Sequence, residues 1–122
     1  MTGADHEESS PDASTLLITK LSCSLVGSQQ KVRFEPGTQI HRIYGVSEAM
    51  EDFACNYGFN ARYLDHLQKS AWRISGTDDE DGIRVVELPG HRFFLATLYL
   101  PQMNSVQGKP HPLILNFVRA AL

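Results

Sequence analysis

Apolar positions cluster densely between residues 83 and 102, IRVVELPGHRFFLATLYLPQ. Val85, Val86, Phe93, Phe94, Leu95, Leu98 and Tyr99 are the β-branched, aromatic and long apolar residues of two strands, and Pro89-Gly90 is the turn between them. Residues 15–26 alternate instead. Leu17, Thr19, Leu21, Cys23 and Leu25 fall on one face, with Leu16, Ile18, Lys20, Ser22 and Ser24 on the other. That period of two predicts a strand over 15–26, with Cys23 as a small buried hydrophobe. A short strand at 31–34 leads into the turn Glu35-Pro36-Gly37-Thr38, and residues 40–44 predict a short helix ended by Gly45.

The period then changes to that of a helix. Behind an Asn60 cap, Tyr63, Leu64, Leu67 and Ala71 share one face of 61–71, with Arg62, Asp65, Gln68 and Lys69 facing outward. A strand at 73–76 and an acidic hairpin loop at 77–82 follow. Pro112 opens a C-terminal helix in which Leu113, Ile114, Phe117, Val118 and Ala121 recur at helical spacing. Its apolar face is expected to close the sheet, so Phe117→Ala is expected to cost about 3–5 kcal/mol. The fold class is α/β, with mixed and antiparallel strands, a helix at 61–71 and a C-terminal helix.

The 122 residues fit one domain, and 42% hydrophobic with 20% charged residues is the balance of a soluble globular chain. Residues 1–14 carry Asp5, Glu7, Glu8 and Asp12 and no Lys or Arg, and are expected to form a flexible acidic tail ahead of a domain at 15–122. Without that segment, ten acidic residues face 11 basic ones, so the formal net charge of −3 belongs to the tail. A neutral body without a basic stripe argues against a nucleic-acid partner. No run approaches a membrane span and the acidic start is unlike a signal peptide, so no membrane partner and a cytoplasmic location are expected. Cys23 and Cys55 have no metal-ligand spacing, and the acidic loop lacks the alternating ligands of a calcium loop. Neither a metal nor a cofactor is expected.

The runs ELPGHRFFLATLYLPQ and KPHPLILNFVRAAL resemble the C-terminal end of the class I glutamine amidotransferase domain of CTP synthases. That resemblance implies the C-terminal half of a flavodoxin-like three-layer domain. In the family the strand ends in Phe-His-Pro-Glu, whose His and Glu form a hydrolytic triad with a Cys from an earlier part of the domain. Here the matching positions are Leu100 and Gln102. The segment Phe53 to Asn60 is similar to the family's His-Arg-His-Arg-Tyr-Glu-Val-Asn, whose second Arg grips the carboxylate of glutamine. Tyr57 and Asn60 match, and the Arg position is Asn56. A two-pronged permanent cation has become a neutral amide. The segments LITKLSCSLVG, CNYGFN and ELPGHRFFLATLY resemble the bacterial proteins called CTP synthase C-terminal region-related.

The resemblance implies a degenerate amidotransferase-like domain acting as a binding or interaction module. An alternative is one part of an amidotransferase of pyrimidine nucleotide biosynthesis whose Cys is supplied by another chain. A third reading is new chemistry at Cys55, Asn56 and Tyr57 near Gln102. The ligand-pocket candidates are Cys55, Asn56, Tyr57 and Tyr99. Since the family's first half has no counterpart in these residues, a homodimer or a separate chain completing the domain is the expected partner.

Overall fold

The computed structural model describes residues 3–122, so Met1 and Thr2 of the expected tail lie outside the described residues. In chain order its strands are β1 (Asp5–His6), β2 (Leu16–Lys20), β3 (Ser28–Phe34), β4 (Glu48–Phe53), β5 (Tyr57–Phe59), β6 (Arg73–Thr77), β7 (Ile83–Glu87) and β8 (Leu95–Thr97). The helices are α1 (Gln39–Tyr44), α2 (Leu64–Gln68) and α3 (Pro112–Ala121). Two 3-10 turns, Ala61–Tyr63 and Pro101–Asn104, precede α2 and follow β8.

The strands form two sheets. The larger is antiparallel throughout, in the order β4-β3-β6-β7-β8, and the smaller runs β1-β2-β5. Alternation along the strands of the larger sheet turns Val32, Phe34, Phe53 and Val85 inward, where they meet Ile40 of α1, Leu113 of α3 and Tyr99 in one buried core. Gly76 lets β6 and β7 approach. A Cβ there would stand 2.6 Å from Val85 Cγ2 and 3.3 Å from Val32 Cγ1, and the β6–β7 register is irregular at this residue.

Local chemistry explains α1. The Thr38 side chain accepts from the His41 N–H at its start, and Gly45 ends it in the left-handed region at φ 70°. Glu87 on β7 ties the helix to the sheet by accepting from the backbone N–H groups of Gln39 (3.1 Å) and Ile40 (3.3 Å).

Several expectations are corrected. The strand expected over 15–26 ends at Lys20, because its partner β5 begins opposite, at Tyr57. Leu21 then donates its N–H to the Asn56 carbonyl, the chain turns away, and Cys23 is exposed rather than buried. The helix expected over 61–71 is a 3-10 turn followed by α2, ends at Gln68 and buries no residue. The second strand of 83–102 is only three residues long. Phe117 is 57% exposed, because α3 meets the core through Leu113 one turn earlier; its ring rests edge-on against Phe93 at 5.4 Å. Within the expected tail, β1 pairs with β2, with Asp5 N–H donating to Thr15 O at 2.9 Å.

Candidate functional site

The chain leaves the larger sheet at the end of β8. Thr97 Oγ1 donates to Tyr99 O at 2.9 Å, and Leu100 N–H donates across to Asp52 O of β4 at 3.1 Å. Pro101 then opens a 3-10 turn, a position that suits its fixed φ and missing N–H. Leu100 is half-buried at this exit and Gln102 is exposed. A hydrocarbon and a neutral amide cannot take or hold a proton, so this corner offers no general base of its own.

Beneath the exit lies a polar cluster that the sequence reading missed. Glu51 of β4 is 2% exposed, His111 4% and Tyr99 2%. His111 Nε2 stands 2.7 Å from Glu51 Oε1, the Tyr44 hydroxyl donates to the same oxygen, and Asn104 Nδ2 donates to Glu51 Oε2 at 3.2 Å. The Tyr44 and Tyr99 hydroxyls are 3.0 Å apart. Proton counting assigns the directions. Leu113 N–H donates to His111 Nδ1 at 3.1 Å, so the imidazole proton sits on Nε2, aimed at Glu51. With the Tyr44 proton directed to Glu51, Tyr99 donates to the Tyr44 oxygen. Burial, joined by neighbouring Tyr99 and Glu51, pushes the Tyr44 hydroxyl far above the ordinary tyrosine range, and burial raises Tyr99 as well. Each group is satisfied by another, so the cluster locks the corner rather than offering a reactive atom.

Parity was the available signal. Ala49, Glu51 and Phe53 share the inward face of β4, so a carboxylate sits where the alternation calls for an apolar residue.

The pocket candidates at 55–57 are held by other contacts. Cys55 Sγ accepts from Tyr57 N–H at 3.3 Å, and Asn56 Oδ1 accepts from Ser24 Oγ at 2.5 Å. The Tyr57 ring leans on His6 with centroids 5.0 Å apart, whereas Tyr99 packs on Phe53 and bonds Tyr44. Tyr99 is therefore committed to the buried cluster, apart from these three. Asn60 fastens the segment by donating to Leu16 O at 2.8 Å and accepting from Arg62 N–H at 3.1 Å. In the acidic loop, Asp78 turns inward onto Arg84, with contacts of 2.9 Å to Nε and 2.7 Å to Nη2. Among the described residues no group of three or more His, Cys, Asp or Glu side chains is placed to hold a metal ion.

No protein-family model matches the chain. Individual relatives do. CTP synthase of Flavobacterium johnsoniae is 39% identical over 93 residues, 75% of this chain, and that of Pyrobaculum aerophilum is 34% identical over 103 residues, 84% of it. The glutaminase domain of Trypanosoma brucei CTP synthase, solved with bound acivicin, superposes with a TM-score of 0.89 at 25% identity over 97% of this chain. The chain is related to the glutaminase domain of CTP synthases. It spans 17% and 19% of the two synthases and 50% of the T. brucei domain, so it corresponds to half of one glutaminase domain. A GMP synthase-like protein of Thermoplasma acidophilum, at 14% identity and a TM-score of 0.61 over 84% of this chain, shares the fold. The mixed α/β arrangement with its C-terminal helix is thus that of the flavodoxin-like glutaminase domain of CTP synthase.

Proposed function

We propose that this chain is a glutaminase-domain half without glutaminase activity of its own, which acts as a binding or interaction module. The observation that carries this reading is the β8 exit, where Leu100 and Gln102 stand at the positions resembling the family's His and Glu. The acid–base groups beneath, Glu51, His111, Tyr44 and Tyr99, are occupied with one another. Asn56, at the position resembling the Arg that grips glutamine, spends its side-chain oxygen on Ser24. Base, orienting carboxylate and substrate anchor are absent together, which leaves no means of activating a nucleophile.

The test is ammonia release from millimolar glutamine by the purified chain. The expected result is release indistinguishable from a buffer blank. Saturable release that survives the Cys23→Ser/Cys55→Ser double variant, or is abolished by it, would overturn the reading in either form.

A further inference from the structure

We propose that the free edge of β8 and the apolar cleft beside it form a docking surface for the other half of a glutaminase-type domain. This rests on the interaction-module reading and names its partner. The register of β8 shows what the edge offers. Leu98 N–H donates to Arg84 O at 2.9 Å and Leu88 N–H to Phe94 O at 3.0 Å, with Val86 opposite Ala96 between them. In an antiparallel pair, bonded and non-bonded positions alternate. Residues 94, 96 and 98 therefore turn their main-chain groups to β7, and Leu95 and Thr97 turn theirs away from it. β8 ends the sheet, so among the described residues no strand meets those groups. They are the donors and acceptors that an added strand would take.

The second observation is the cleft. Ile18 and Phe59 of the small sheet face Val86 and Ala96 of the large one across a cavity of ≈ 120 Å³, which continues into one of ≈ 390 Å³ reaching Leu67 and Trp72. The apolar face of α2 borders it and buries nothing, so this is an unfilled core seam rather than a finished surface.

The fold match selects the occupant. The T. brucei domain keeps this chain's shape over 97% of its length and yet has as much chain again, since only 50% of it is covered. A polypeptide of that complementary half, adding a strand to β8 and placing apolar side chains in the cleft, satisfies the edge and the seam together.

The test coexpresses the full chain with the portion of the T. brucei glutaminase domain that it does not cover. A 1:1 complex by light scattering is expected, with exchange of the Leu95 and Thr97 amides slowed by at least about tenfold on complex formation. Thr97→Pro removes an outward N–H without removing a bond to β7. Ala96→Glu places a carboxylate in the seam. Each should weaken the complex by about tenfold or more while the circular dichroism of the chain is unchanged. Absence of a complex, a complex indifferent to both variants, or Leu95 and Thr97 amides already protected in the monomer would overturn the proposal. A homodimer broken by Thr97→Pro would also overturn it, by making a second copy the occupant. Ammonia is read in the same samples. A complex that hydrolyses glutamine would refute the non-catalytic reading and leave the docking intact; no complex and no ammonia would do the reverse.

Discussion

His111 and Glu51, 60 residues apart in the chain, meet at 2.7 Å with side chains 4% and 2% exposed. One imidazole thereby does two things. Its Nδ1 accepts from Leu113 N–H to start α3, and its Nε2 holds the carboxylate that also binds Tyr44 and Asn104. Strand β4, the two tyrosines and the C-terminal helix are fastened at a single point, directly under the exit of β8.

His111→Ala removes both bonds. It leaves Glu51 a donor short and α3 uncapped, and is expected to destabilise the chain by about 2–4 kcal/mol. His111→Asn retains a capping oxygen without reaching Glu51, and should recover about 1 kcal/mol of that loss. Urea midpoints of the two variants measure the difference. Equal midpoints would show that the cap contributes nothing.

The two buried tyrosines set the alkaline limit. Their folded-state affinity for the proton is raised, by burial above all, so their contribution is fully present below the unfolded tyrosine value of about 10 and is lost as pH rises further. Above that pH the unfolded chain releases protons that the folded chain keeps. Stability should fall by up to about 1.4 kcal/mol per pH unit for each of the two. Denaturant unfolding at pH 9, 10 and 11 reads the slope, and Tyr44→Phe should make it shallower. A slope the same in that variant would contradict the assignment of Tyr44.

Exposure reverses the expected ranking along α3. Leu113 is buried, so Leu113→Ala should cost about 2–5 kcal/mol. Phe117 keeps only an edge contact with Phe93, and Phe117→Ala should cost about 1 kcal/mol, the worth of such an aromatic pair. Thermal or urea unfolding of the two variants decides it. A larger loss for Phe117→Ala would mean that the ring is covered in solution.

Thiol labelling separates the cysteines. Cys23 is exposed and Cys55 is half-buried with its sulfur bonded to Tyr57 N–H. A maleimide reagent at neutral pH should modify Cys23 first, as access dictates. Much faster modification of Cys55 would revive new chemistry at Cys55, Asn56 and Tyr57.

Local side-chain chemistry was legible in the amino-acid order. Thr38 and Gly45 bracket α1, Asn60 caps the turn before α2, and Pro112 opens α3, because each acts on backbone groups within a few residues. The run 83–102 announced two strands and a turn, and the motif resemblance announced the glutaminase-domain fold. Tertiary structure alone decided where pairing stops, which side of α3 is covered, and that Glu51 and His111 are partners. A strand lasts only as long as its neighbour, so β2 ends where β5 begins and Cys23 is left outside. A helix buries the face its neighbours touch, so Leu113 is inside and Phe117 is not. Periodicity says which residues share a face; only the assembled chain says what that face meets.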